Sequence, residues 1–140
     1  MFKEYQIEKV FMGRLKKDED LFLGLSKLLE EHGIKSGKIE GIGAVSEGKV
    51  GYYDQFKKKY CEINIPEPME VLSLLGNVSL KEGKAFPHCH IIFGNSKGDV
   101  KGGHLLEGCK VFAFEFVVTE FDGAALVRGF DEETKLPLWN

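Results

Sequence analysis

No apolar run in this 140-residue chain is long enough to cross a bilayer, which excludes a helical membrane protein. Its first residues, Met1-Phe-Lys-Glu-Tyr-Gln6, lack the apolar stretch of a secretory signal. Cysteine is scarce: Cys61, Cys89 and Cys109 form an odd set without paired spacing. Free thiols in a reducing, cytoplasmic setting are therefore expected, not a disulfide framework. Positive charge is not in excess either. Nineteen Lys and Arg face 22 Asp and Glu, a net charge of −3, which argues against a chain-wide electrostatic footprint for nucleic acid. Direct DNA contact would need a local patch or one built by oligomerisation. The one dense basic run, Lys57-Lys58-Lys59 between Phe56 and Tyr60, reads as a solvated hairpin tip in preference to a phosphate site. Linkers, repeats and low-complexity segments are absent, as is any serine or cysteine set beside a histidine and an orienting acid.

What is present suits one domain over residues 1–140. Hydrophobic residues make up 43%, enough for a proper core, and 17 glycines fit a chain with many tight turns. Residues 4–15 read as an opening strand. Asp18-Glu-Asp20 then sets carboxylates at a helix N-terminus, and Leu21, Leu25, Leu28 and Leu29 continue at helical spacing over about 19–32, stopped by Gly33. His32 falls in the last turn, beside carbonyls or water. Strands follow at Lys38–Val45, Lys49–Tyr53, Lys59–Ile63, Met69–Leu80, Pro87–Gly94 and Lys110–Glu120, with a last one around Ala125–Phe130. One early helix and many strands predict an α+β fold with a mainly antiparallel sheet. Within Val111–Glu120, Phe112, Phe114 and Phe116 share one face as a core signature, leaving Glu115 on the other between Ala113 and Val117. Gly41-Ile-Gly43-Ala-Val-Ser46 lacks the third glycine of a dinucleotide loop and the Gly-Lys-Ser/Thr end of a P-loop, so close backbone packing or a bulge is expected there.

Three of the four histidines, His88, His90 and His104, fall within seventeen residues. On a strand His88 and His90 project from one face about 6.6 Å apart, and Cys89 points the other way into packing. Ser96-Lys97-Gly98 suits a three-residue hairpin loop with Gly98 in the left-handed position. That register sets residue 95 opposite 99 and His104 opposite His90; a loop of two or four residues would turn His104 to the wrong face unless Gly102-Gly103 adds a bulge. Three neutral imidazoles leave a tetrahedral cation one open position, so zinc or another divalent transition metal is the candidate cofactor. The competing reading is two ordinary strand histidines and a turn histidine.

Several of these segments, in order, resemble one family: Gly41-x-Gly43-Ala44-Val45-Ser46, Gly51-Tyr52-Tyr53-Asp54, Glu70-Val-Leu-Ser73-Leu-Leu-Gly76-Asn77, His88-x-His90 and Gly102-Gly103-His104-Leu105. Arg14-Leu15 ahead of Glu19-Asp20-Leu21, together with Glu115, Arg128 and Asp131, adds to the match. The chain resembles the prokaryotic PPC domain (plant and prokaryote conserved, DUF296 or PD1-like) over nearly its whole length. One departure is Asp18, where the family often has glycine. The resemblance implies a highly bent sheet with one principal helix, assembled as a homotrimer. It also implies a DNA-associated role, although the Arg-Gly-Arg-Pro AT-hook of plant relatives is missing. The fold is similar to that of acetolactate decarboxylase, whose zinc ligands have His88, His90 and His104 as counterparts here. A zinc-dependent lyase or hydrolase acting on a small oxygenated metabolite is the alternative function, with Glu115, Glu70 or Arg128 assisting.

Overall fold

Residues 1–140 are described by a computed structural model, in chain order β1 (Ile7–Leu15), α1 (Leu21–Glu31), β2 (Gly37–Asp54), β3 (Lys59–Ile65), β4 (Met69–Lys81), β5 (Lys84–Gly94), β6 (Val100–Leu105), β7 (Lys110–Phe121), β8 (Val127–Phe130) and β9 (Pro137–Trp139). The single helix begins where its first free N–H groups find a carboxylate. Asp20 Oδ1 accepts from Leu23 N–H at 2.9 Å, and Oδ2 accepts from Gly108 N–H at 2.7 Å, tying the helix start to the turn before β7. Leu21, Leu25 and Leu29 form its buried stripe, and the helix packs against β5. These leucines join Ile39, Ile91, Phe93, Phe114 and Val118 in one core on the inner face of the sheet.

The two strands expected at Lys38–Val45 and Lys49–Tyr53 are one 18-residue strand, β2, which changes partners along its length. Its first half lies between β7 and β4, and its second half pairs with β3 and, at Val50 and Gly51, with β6. Register shifts at Gly41/Gly43 and Val45/Glu47 supply the bend. A Cβ at Gly41 would also collide with the Phe114 ring, so this glycine motif serves packing, as its incomplete phosphate-loop pattern indicated. Because β4 pairs β5, β5 pairs β6 and both ends return to β2, these four strands close a circuit. All pairings are antiparallel except the short β4–β8 contact, which completes the bent α+β architecture.

One expectation about β7 fails. Phe112 is 57% exposed, whereas Phe114 and Phe116 are buried. The ladder shows why: Ala44 faces Ala113 but Val45 faces Val111, so Phe112 is the extra residue of a bulge and Val111 takes its place inside. At the C-terminus, β9 folds back on β8, with Pro137, Leu138 and Trp139 opposite Phe130, Gly129 and Arg128.

Candidate metal centre

The β5–β6 hairpin carries the histidines. Asn95 N–H donates to Asp99 O at 3.0 Å, Gly98 sits at φ 83°, and the ladder pairs His90 with His104, the register expected for a three-residue loop. His88 pairs with Asn77 of β4. Cys89, between the two histidines, lies buried on the core face, where burial pushes its thiol up to about 12. The imidazoles therefore stand on the outer, non-core face. One candidate ligand atom from each of His88, His90 and His104 lies within 4.8 Å of the other two.

The chemistry of this donor set fits a cation. Nitrogens around a tetrahedral zinc stand about 3.3 Å apart, so modest ring rotations would draw the three onto one ion. His104 Nδ1 is buried with no hydrogen-bond partner, a costly state that a ligand would relieve. Burial, Arg128 and the other two imidazoles push His88 down to about 4; burial, His90, Arg128 and Lys81 do the same for His104. Both are neutral at physiological pH, the form that ligates a metal.

Arg128 reaches this cluster from β8. Its guanidinium donates to Ser79 Oγ at 2.9 Å, Asn77 Oδ1 at 2.8 Å and Pro137 O at 3.1 Å, and Nη2 stands 3.3 Å from His88 Nδ1. A guanidinium can only donate, so it occupies the one lone pair of a neutral imidazole. A metal on either nitrogen of His88 needs that lone pair, and its arrival would release one N–H of Nη2 while the other stays on Asn77 Oδ1.

The other two predicted helpers lie elsewhere on the same outer face. Directly opposed residues Val117, Glu40, Leu75, His90 and His104 run in a row across β7, β2, β4, β5 and β6. Glu115 is two residues from Val117, so three strand spacings, roughly 14 Å, separate it from the histidines. It is exposed and lines a separate cavity with Arg14, Glu40 and Ile42. Glu70 faces Gly94, four residues or roughly 13 Å along β5 from His90. Neither carboxylate borders a cavity that the histidines line. His32 caps the helix and packs its ring near Phe11, away from the cluster.

Sequence reasoning missed the neighbours that wall the site. The Tyr60 ring lies 5.1 Å from that of His104 and also 5.1 Å from that of Tyr53. Burial and then Tyr53 raise the Tyr60 phenol above its ordinary value, so it stays protonated. A cavity of about 310 Å³ opens beside His88 and His104, bounded by Tyr60, Lys81, Arg128 and the segment leading into β9. The lysine run before Tyr60 and the Gly76-Asn77 pair were the available signals, but only the pairing of β3 and β4 to neighbouring strands brings them here.

Residues 2–122 match the profile of the Plants and Prokaryotes Conserved (PCC) domain. A metal-containing protein from Archaeoglobus fulgidus superposes with a TM-score of 0.96 at 44% identity, covering 100% of this chain and 99% of that one. A plant- and prokaryote-conserved (PPC) protein from Pyrococcus horikoshii gives 0.94 at 34% identity, covering 100% and 96%. A protein from Bacteroides thetaiotaomicron, provisionally described as DNA-binding, gives 0.87 at 28% identity, covering 97% and 96%. No curated protein matches the sequence.

Proposed function

This chain belongs to the Plants and Prokaryotes Conserved domain family, and from that premise we propose that it is a cytosolic, homotrimeric metal-binding protein. His88, His90 and His104 would hold a divalent transition metal, zinc being the best fit to three imidazoles and an open position. The observation that carries this reading is the convergence of three imidazole donors within 4.8 Å, with His104 Nδ1 buried and without a hydrogen-bond partner. The metal-containing relative from A. fulgidus supports it. The relative described as DNA-binding supports an association with DNA as the biological setting.

A second reading, a zinc-dependent lyase or hydrolase, is favoured by the cavity that His88 and His104 share with Arg128. A bound zinc would supply Lewis acidity at its open position. Arg128 would orient an oxygen of the substrate there, and Tyr60 would offer a protonated phenol across the cavity. No helix is long and apolar enough to cross a membrane.

Metal analysis and light scattering on the purified protein test the first reading. About one zinc per chain is expected, and the double variant His88→Ala/His90→Ala should lose it. Both proteins should scatter as three times the 15.7 kDa chain mass. Wild-type protein that stays metal-free after expression in ample zinc would remove the metal reading, and a monomeric mass would remove the trimer.

A further inference from the structure

We propose that the cavity beside His88 and His104 recognises a small molecule through a phosphate or carboxylate group, held by Lys58, Lys59, Lys81, Arg128 and Lys135. Recognition of the anion stands on the cavity itself; its dependence on metal rests on the histidine reading above.

The charge is lopsided. Five cations and no Asp or Glu line this cavity in a chain of net charge −3. Only Lys135 has a carboxylate partner, Glu132. Lys58 Nζ donates to the Glu133 carbonyl at 2.8 Å, Lys81 Nζ lies 4.9 Å from the centre of the Phe86 ring, and Arg128 bonds only neutral acceptors. Lys58, Lys59 and Lys135 are exposed at the cavity's rim while Lys81 and Arg128 are half-buried, so like charges gather around one concavity, where an anion would be drawn. The tip at Lys57–Lys59 is solvent-exposed as expected, and two of its lysines also border the cavity. Lys57 pairs with Asp54, while Lys58 and Lys59 turn to the cavity.

The backbone gives a second sign. Four non-glycine residues have positive φ, and two of them are Lys58 (51°) and Lys135 (59°). Glycine or asparagine would adopt this left-handed conformation at little cost, and a lysine there is disfavoured by the contact of its Cβ with the backbone. Asp18 and Glu82 share this conformation, so it marks Lys58 and Lys135 only together with their place on the cavity lining. The two loops meet, one from the β2–β3 hairpin and one from the β8–β9 hairpin, through the Lys58 Nζ bond to Glu133 O, and both lysines line the cavity.

A metal on His88 would take the lone pair that Arg128 now shares, leaving one N–H of Nη2 without that partner beside the cavity that Arg128 lines. The volume, about 310 Å³, lies at the small end of metabolite sites and is closed off by the C-terminal hairpin. That favours a compact metabolite over a polymer.

The test is calorimetric titration of the intact protein, zinc-loaded and chelated, with inorganic phosphate and with succinate at constant ionic strength. One saturable site is expected for at least one probe, and the stronger probe identifies the anionic group. Chelation should weaken it about tenfold or more, the scale of one lost charge-assisted bond. The variant Lys58→Gly/Lys135→Gly should lose at least about tenfold in affinity with unchanged zinc content and an unreduced melting temperature, since glycine suits both turns. No saturable binding by either probe, or undiminished affinity in that variant, would overturn the proposal. So would displacement of bound phosphate by a stoichiometric DNA duplex, which would make the cavity a nucleic-acid site. If the wild type holds no zinc yet binds phosphate in a way the glycine variant abolishes, the histidine reading fails and the anion site stands.

Discussion

At the scale of single residues, Asp18 and the histidines allow the sharpest expectations. Asp18 stands at a φ of 68°, a left-handed conformation that glycine adopts at less cost. Its exposed ion pair to Lys110, at 3.3 Å, contributes little. Asp18→Gly is therefore expected to stabilise the protein by about 0.5–1 kcal/mol, read as a higher urea midpoint at unchanged slope. The histidines set a pH dependence. His88 and His104 titrate near 4 in the folded protein, below the 6.5 of an unfolded chain. Between those values the unfolded state binds more protons, so stability rises with pH. The chelated protein should be most stable above pH 6.5 and lose stability as pH falls toward 4. His88→Asn/His104→Asn should flatten that profile in urea titrations at pH 7 and pH 4.5. An unchanged slope would mean the two rings are not held neutral by their surroundings.

At the scale of elements, hydrophobic alternation was a sound guide except where a bulge changed its phase. Alternation alone put Phe112, Phe114 and Phe116 on one face, and the extra residue at the Ala44–Val45 step moved Phe112 out. Phe114→Ala should cost about 4 kcal/mol, a typical core cavity, and Phe112→Ala less than about 1 kcal/mol. Chemical denaturation of the two variants checks this, and equal losses would contradict the bulge. The β5–β6 hairpin was legible because its loop length fixes the register, and with it the face of every residue. Glu70 and Glu115 were not, because periodicity reports which face a side chain occupies and says nothing of which strand lies beside it. Both carboxylates are on the outer face with the histidines, at the wrong end of one strand and on the wrong side of two others.

At the scale of the whole molecule, a net charge of −3 coexists with a concentrated pocket of positive charge, because the fold gathers lysines from the β2–β3 hairpin, β4 and the β8–β9 hairpin. Any association with a DNA duplex therefore depends on a local patch working against an unfavourable overall field. Its affinity is expected to fall with log–log slope of about −0.9 per phosphate neutralised, so that raising salt from ~50 to ~200 mM removes most of it. Fluorescence anisotropy across that range provides the check. No binding at the lower salt would exclude direct DNA contact and leave association through other proteins.

Legible in the amino-acid order alone were the helix with its acidic start, most strands, the buried thiol of Cys89 and the hairpin register that sets His90 opposite His104. These follow from local rules: side-chain periodicity, turn length and the need to satisfy the first N–H groups of a helix. Only the tertiary structure decided that β2 would run unbroken through two sets of partners, that Arg128 rather than either glutamate would reach the histidines, and that distant lysines would share a cavity with them. Those outcomes depend on which strands become neighbours when a bent sheet closes on itself, a global packing choice that no stretch of local pattern encodes.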